Sequence, residues 1–185
     1  MKGTLVKWFV SWAVAMIVGM VLFSAFGPTA KEISLDEINF KTTESSALYF
    51  KNIRSYFYDL EEEKKSGFKI YRLSSRPATA KNKLHFMILH NWRMNEAYIM
   101  AESEQIDKGK ASMRLLIGQS NDTISLDGAD AEANFRFAAQ LFTAMEKEES
   151  VSLLSNDEAY SFEQSELKSI KKCLKDYFKL VGKLR

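Results

Sequence analysis

Cysteine is nearly absent from this sequence of 185 residues, in which Cys173 stands alone. A single cysteine excludes an intramolecular disulfide and a cysteine-based zinc site, so the domain must be held by an ordinary hydrophobic core. An excess of charge of one sign is lacking too, because 26 basic against 24 acidic residues leave a net charge of +2. This balance gives no overall attraction to nucleic acid, and we predict no nucleic-acid partner.

Recognisable catalytic and cofactor-binding motifs are also missing. The chain has neither a P-loop nor a G-x-G-x-x-G fingerprint, and GQS at 118–120 lacks the second glycine of a nucleophile elbow. The two histidines, His85 and His90, would point to opposite faces of one strand, which does not suit a shared metal ion. We therefore predict no catalytic residue, no metal and no cofactor, and we favour a non-catalytic protein.

What the sequence does have is a long uncharged run near its start. Residues 8–30 carry no charge, and residues 8–26 are mostly apolar. A helix of that length spans the roughly 30 Å hydrocarbon layer of a bilayer. Lys2 and Lys7 precede the run without any acidic residue. The positive-inside rule then places the N-terminus in the cytoplasm and the rest of the chain outside it.

These features predict a single-pass protein of the cell (inner) membrane. Its parts are a cytoplasmic N-terminus (1–7), a transmembrane anchor (8–27), a stalk or linker (28–46) and an extracytoplasmic domain (47–185). The alternatives are a cleaved signal peptide and a buried core helix, which such a uniform run disfavours. An anchor is favoured because the run exceeds the 7–15 residues of a typical signal, and because Pro28 would follow the best cleavage site directly.

One side of the predicted anchor carries small residues. Ser11, Ala15 and Gly19 recur every four residues, a spacing that lets a second helix approach closely. The sequence thus predicts contact with another membrane protein or with a second copy of this chain. The alternative is that the stripe is incidental, because small residues are common in transmembrane helices.

The external part is predicted to have an α+β fold. Strands are indicated at 67–73 and in four segments between 83 and 126, joined by short turns. Strands joined in this way are antiparallel neighbours, so we expect one meander, and its apolar centre predicts cover on both faces. Residues 47–60 favour a strand by their aromatic content but also fit a helix face, and 61–67 are predicted to form a turn.

Two C-terminal helices are predicted to pack on this sheet. The first lies within residues 126–149 and is capped by Asp127 or Asp130. After a short strand at 151–155, Ser161 and Gln164 match a capping box for a final helix at about 162–182.

Two surfaces are candidates for contact with partners. Trp92 and Arg93 fall at a hairpin turn, and both residue types are enriched at binding hot spots. The more ordinary interpretation is a tryptophan folded back over the edge of the sheet.

The last helix supplies the second surface. Its apolar residues recur at spacings of three and four, and its opposite side is basic, with Lys168, Lys171, Lys172, Lys175, Lys179 and Lys183. A basic face can bind anionic lipid or an acidic partner. The alternative is that the apolar side covers the sheet while the lysines simply face water.

The pattern as a whole predicts an accessory, assembly or interaction subunit of a membrane protein complex. The first alternative is a module for a small molecule or lipid, with the aromatic residues of 49–58 as pocket walls. The second is an enzyme with an unfamiliar site.

Overall fold

The computed structural model describes residues 12, 16, 32–75, 84–103, 113–118, 120–126, 130–155 and 158–184. The chain divides into two units, Met1–Ala30 and Lys31–Arg185. In the first unit only Trp12 and Met16 are described, and both are helical. The described part of the chain contains no helix long and apolar enough to cross a membrane. The rest of the predicted anchor at 8–27, including Ser11, Ala15 and Gly19, lies outside the described residues.

The second unit has the predicted α+β fold, with antiparallel strands and C-terminal helices. Its first element is the short helix α1 (Glu44–Tyr49), followed by a π-helical turn (Phe50–Arg54) and a 3₁₀ turn (Ser55–Phe57). The strands are β1 (Tyr58–Glu63), β2 (Phe68–Leu73), β3 (His85–Asn91), β4 (Glu96–Glu102), β5 (Met113–Ile117), β6 (Ser120–Leu126), β7 (Val151–Ser155) and β8 (Glu158–Ser161). The two longer helices are α2 (Ala131–Glu146) and α3 (Gln164–Leu180).

The described strands form two antiparallel sheets, in the orders β1-β2-β3-β4 and β6-β5-β7-β8. The prediction of one meander is therefore wrong between β4 and β5, because β5 pairs with β6 and β7. Other groups occupy the edge of β4. The Ala97 N–H donates to the Phe40 carbonyl and the Ala101 N–H donates to Asn134 Oδ1, both at 2.8 Å. An edge satisfied in this way is no longer open to β5.

Among the described residues, the expected cover of the first sheet is complete on one face only. Along β3 the side chains of Phe86, Ile88 and His90 are buried, whereas Met87 and Leu89 are only half-buried. Alternate residues of a strand point to opposite faces, so this sheet has one core face and one partly open face. Helix α3 packs on β3 and β4, and α2 packs on β4 and also contacts the second sheet.

The boundaries of the C-terminal helices follow their caps. The Asp130 side chain accepts a hydrogen bond from the Glu132 N–H, which confirms Asp130 as the cap of α2. The capping box predicted for Ser161 and Gln164 is wrong, because Glu163 and Glu166 form it. Ser161 instead ends β8, a strand that was not predicted.

The segment before β1 is helical, so the strand favoured for 47–60 is correct only from Tyr58 onward. Thr43 starts this helical segment. Its hydroxyl accepts from the Ser46 N–H, and the Ser46 hydroxyl accepts from the Thr43 N–H, each at 3.1 Å. Such a reciprocal cap outweighs the moderate strand preference of aromatic residues. The predicted turn at 61–67 begins only after Glu63, because β1 continues to that residue.

Residues 32–46, which belong to the predicted stalk, lie against the folded unit. Ile33 is buried, and the Phe40 ring lies 4.9 Å from that of Tyr98 and 6.0 Å from that of Phe135. Lys41 forms an antiparallel bridge with Glu96. This part of the chain therefore contributes to the core and to the edge of the first sheet.

Candidate functional site

Six of the eight exposed large apolar residues described in the second unit lie between positions 48 and 60. We call them the aromatic patch: Leu48, Tyr49, Ile53, Tyr56, Phe57 and Leu60. Tyr56 is 83% exposed, the largest value in the patch. Ile53 follows Tyr49 by four residues through the π-helical turn, and Tyr56 follows Ile53 by three residues through the 3₁₀ turn. Each step is about one helical turn, so these three side chains lie on the same side of the segment. Clustered exposure of this kind marks a binding surface more often than scattered single residues do.

The inner side of the same segment is fixed to the core. Phe50 is buried, and its ring lies 5.6 Å from Tyr58 and 5.1 Å from Tyr71. The Ser46 hydroxyl donates to the carbonyl of Leu180 at 2.7 Å, which joins α1 to the end of α3. The aromatic patch is thus presented by an ordered segment.

A buried carboxylate holds the other end of the segment. Asp176, on α3, is 5% exposed and accepts two hydrogen bonds from Arg54, both at 2.8 Å. The Tyr58 hydroxyl donates a third bond to it at 2.9 Å. The hydrogen bond to Asp176 raises the pKa of Arg54 above its ordinary value. A bidentate pair has a defined geometry, so it fixes the position of the helical turns as well as their distance from α3.

This carboxylate was not among the predicted site residues, although the sequence carries a signal for it. Asp176 follows Cys173 by three residues and precedes Leu180 by four, so it lies on a side of the helix that bears apolar residues. A single acidic residue in such a place needs a buried partner. The sequence could not indicate that the partner is Arg54, 122 residues away.

The structure divides the six predicted lysines of the last helix into two groups. Lys171 binds Glu146 at 2.9 Å, Lys172 lies 4.0 Å from the centre of the Phe57 ring, and Lys183 donates to the carbonyl of Glu37. With the described residues, Lys168, Lys175 and Lys179 form no salt bridge. Lys172 therefore brings the basic side of α3 to the aromatic patch.

The predicted hairpin turn at Trp92 and Arg93 lies between β3 and β4. Asn91 Oδ1 accepts from the N–H groups of Arg93 and Met94, at 3.2 and 3.3 Å. The Arg93 guanidinium lies 5.4 Å from the centre of the Trp92 ring, and the same side chain lies over Gly67. Trp92 is 54% exposed. The turn is thus ordered by local contacts and keeps much of its indole at the surface.

A cleft of about 670 Å³ opens beside Trp92. Ala47, Leu48 and Tyr71 contribute to its wall, together with several polar residues. None of the aromatic residues at 49–58 lines it, so the predicted use of that segment as walls does not hold for this cleft. Among the described side chains, the buried atoms Nε2 of His90 and Oγ1 of Thr42 have no hydrogen-bond partner, and both residues line the cleft.

The remaining chemistry of the described residues is sparse. They contain no group of three or more histidine, cysteine or acidic side chains that could hold a metal ion. Cys173 is buried, and its thiol lies 3.5 Å from the carbonyl oxygen of Phe86. Burial first, and then the charge of Asp176, raise the pKa of Cys173 to about 12, which keeps the thiol protonated and unreactive.

No family model, no curated protein and no solved structure matches this chain.

Proposed function

We propose that the protein is a membrane-anchored, extracytoplasmic accessory or assembly subunit that binds another membrane protein through its aromatic patch. The single observation that carries the proposal is the exposure of this patch on a segment fixed by Asp176. An ordered surface of aromatic and aliphatic side chains loses little conformational entropy when a partner covers it. Aromatic residues are also those that contribute most to protein–protein affinity.

The charges around the patch favour a protein partner over a lipid surface. Lys172 lies on one side, against Phe57, and attracts acidic groups. Glu61 and Glu62 lie just beyond Leu60 on β1 and form salt bridges with Arg72 and Lys69, both at 2.8 Å. A flat anionic membrane would attract Lys172 but compete with these ion pairs, whereas a protein surface can carry charges that match both.

The anchor and the orientation in this proposal rest on the sequence. The uncharged run at 8–30 and the preceding Lys2 and Lys7 support a single span in the cell membrane with the N-terminus in the cytoplasm. Ser11, Ala15 and Gly19 would then form a second contact, inside the bilayer, with the same partner or with a second copy. An anchored subunit needs only moderate affinity at its external surface, because the membrane raises the effective concentration of its partner.

Site-specific photo-crosslinking in native membranes tests the partner surface. A photoreactive amino acid at position 56 is expected to join the chain to one membrane protein, whereas the same group at the exposed position 132 of α2 is not. Tyr56→Ser should reduce co-purification of that protein in mild detergent without loss of folding, because the side chain is 83% exposed. Equal crosslinking from both positions, or unchanged co-purification of Tyr56→Ser, would contradict the proposal.

The orientation can be tested with a single introduced cysteine. Cys173 is buried, so the natural thiol gives little background with maleimide reagents. Glu132→Cys should react with a membrane-impermeant maleimide on intact cells if the domain lies outside the cytoplasm. Labelling only after the membrane is permeabilised would place the domain on the cytoplasmic side.

A further inference from the structure

Strand β1 lies at one edge of the first sheet, and the two edges of that sheet differ. Phe40 and Asn134 bind backbone groups at the edge of β4. Among the described strands, β1 has a neighbour on one side only, which is β2. All six residues of β1 pair with β2 in one continuous register, without a proline, a glycine or a bulge. A regular edge of this kind can accept a strand from another chain.

The register of β1 on β2 determines which backbone groups point away from the sheet. The carbonyl oxygen of Phe57 accepts a hydrogen bond from the Ser74 N–H at 2.9 Å, so this pair is a hydrogen-bonded one. Hydrogen-bonded and non-hydrogen-bonded pairs alternate along an antiparallel ladder. The backbone groups of Leu60 and Glu62, three and five residues after Phe57, therefore point outward from the edge.

Leu60 and Glu62 supply the groups to which an added strand would bind. The N–H of Tyr58 also points outward, but it is already bonded to the carbonyl of Ser55. With the described residues, no backbone hydrogen bond engages the outward groups of Leu60 and Glu62. Each residue has one N–H and one C=O, so the edge offers donors and acceptors in the pattern that an extended segment uses in β-strand addition.

The side chains of β1 determine which kind of strand fits beside it. Tyr58 is buried on the core face, so Asp59, Glu61 and Glu63 lie on the open face of the sheet. Glu61 pairs with Arg72, but its side chain is 66% exposed and leaves room for a second cation. Opposite charges on neighbouring strands are stabilising. An added strand with lysine or arginine on this face would therefore match the three carboxylates.

The other face of an added strand would meet apolar surface. Leu60 is half-exposed, belongs to the aromatic patch and lies on the same face of β1 as Tyr58. Phe57, also in the patch, directly precedes the strand. Glu62 lies on this face too, but its carboxylate is already paired with Lys69 at 2.8 Å. Apolar side chains at alternate positions of an added strand would therefore bury part of the patch.

The charges of β1 disfavour a second copy of this chain as the occupant of its edge. Four of the six residues of the strand are acidic: Asp59, Glu61, Glu62 and Glu63. Antiparallel pairing of two such strands would place carboxylates opposite one another, and like charges in that position are destabilising. The same repulsion protects the edge from self-association. A strand that carries basic residues is free of this repulsion.

From these observations we propose that the edge of β1 binds an extended segment of a partner protein in which basic residues alternate with apolar ones. The backbone of the segment hydrogen-bonds to Leu60 and Glu62. Its basic side chains lie along Asp59, Glu61 and Glu63, and its apolar side chains continue onto the aromatic patch. The inference rests on the proposed function for the source of the segment, whereas the recognition depends on β1 alone.

Hydrogen exchange on the full-length protein in an uncharged detergent tests the added strand directly. The probe is the peptide Lys-Val-Lys-Val-Lys-Val-Lys with both ends blocked. The control peptide, Lys-Lys-Lys-Lys-Val-Val-Val, has the same composition and charge but no alternation. We expect the alternating peptide to slow the exchange of the Leu60 and Glu62 amides at least about tenfold, because both N–H groups become hydrogen-bonded. The control peptide should leave their exchange unchanged.

Two substitutions at one position separate the backbone donor from the side chain. Glu62→Pro removes the outward N–H and preserves the pairing with β2, because that N–H takes no part in the ladder. Glu62→Ala also loses the ion pair with Lys69 but keeps the N–H. The fluorescence anisotropy of a labelled alternating peptide measures its affinity for each variant. Glu62→Pro should bind it about tenfold more weakly than Glu62→Ala, through the lost hydrogen bond and the bulk of the ring.

A third variant tests the charge match. Glu63→Gln keeps the size of the side chain and removes one carboxylate from the open face. It should weaken binding of the alternating peptide about two- to fivefold, the effect of one exposed ion pair. Glu132→Gln, on α2, is the control for a general loss of negative charge and should leave the binding unchanged.

Three results would overturn the inference. The first is unchanged exchange of Leu60 and Glu62 with the alternating peptide up to its solubility limit, which would mean that the acidic side chains only protect the edge. The second is equal slowing by the control peptide, which would reduce the effect to charge alone. The third is equal affinity of Glu62→Pro and Glu62→Ala. The exchange measurement uses the unaltered protein, so it decides the matter even if Glu62→Pro does not fold.

The peptide also separates this inference from the proposed function. Specific crosslinking from position 56 without protection of β1 by the peptide would support the partner surface and overturn the added strand. Protection of β1 without specific crosslinking would support the strand site and overturn the proposed partner surface.

Discussion

Asp176→Asn is the substitution that examines most directly how the aromatic patch is held. Asparagine has nearly the same size as aspartate, so packing on α3 should be preserved while the negative charge is lost. The carboxylate now accepts two bonds from Arg54 and one from Tyr58. An amide has only one oxygen to accept them, and its NH₂ group would face donors.

The magnitude follows from the burial of the two partners. Removal of one member of a buried ion pair costs about 3–5 kcal/mol, because the other charge is left uncompensated. The Asp176 side chain is 5% exposed and that of Arg54 is 21% exposed, so the guanidinium can recover part of its hydration. We therefore expect a loss near the lower end of that range, about 3 kcal/mol.

Urea unfolding of the full-length protein in mild detergent, followed by circular dichroism, measures this loss. Arg54→Met and the double variant complete a double-mutant cycle, in which the two losses should add to more than the loss of the double variant. Crosslinking from position 56 should decrease in Asp176→Asn even where the protein remains folded. A change in unfolding free energy below about 0.5 kcal/mol would refute the reasoning, because that is the usual effect of an unimportant surface substitution.

Three further predictions concern other parts of the fold. Leu174→Ala should lower the free energy of unfolding in urea by about 2–5 kcal/mol, because this side chain of α3 is fully buried. Lys175→Gln, on the exposed side of α3, should be nearly neutral. Equal effects of the two substitutions would mean that α3 is not packed as described. Because burial lowers the pKa of His90, the folded state binds a proton at this imidazole less readily than the unfolded state. The contribution of the neutral imidazole to folding stability is therefore complete above the unfolded pKa of about 6.5, and it is lost as the pH falls from there through the folded pKa. Unfolding measured at pH 7.5 and pH 5 should therefore show a smaller decrease in His90→Gln than in the wild type, and identical decreases would contradict this. Gly67→Ala should lower stability more than Gly118→Ala. Both glycines have positive φ (77° and 59°), but of the two only a Cβ at position 67 would meet a side chain, that of Arg93 at 3.1 Å. Thermal unfolding compares the two variants, and equal losses of stability would leave only backbone strain as the cause.

Much of the fold could be predicted from local patterns in the sequence. The strands β3 and β4 with their short turn and the apolar repeat of α3 depend on neighbouring residues, and all three elements are present. The N-terminal cap of α2 at Asp130 depends on the next few residues and was also predictable. These features need no knowledge of distant contacts.

What could not be predicted depends on residues far apart in the chain. The edge of β4 is closed by Phe40 and by Asn134, neither of which is near β4 in the sequence, so a short connection alone suggested the wrong neighbour for β5. The candidate sites show the same limit. Trp92 was identified by its residue type, whereas the pairing of Arg54 with Asp176 and the lining of one cleft by Thr42 and His90 arise only when the chain folds.

The link between Arg54 and Asp176 also has a consequence for the order of events during synthesis. The two residues are 122 positions apart, so the ribosome must add all of the intervening chain before they can meet. Strands β1–β4 join neighbours along the chain and can pair as soon as they emerge, because local contacts form early. The helical turns that carry Tyr56 must wait for α3. A nascent chain would therefore complete its first sheet before its aromatic patch, so an unfinished chain would not yet present the surface proposed to bind a partner.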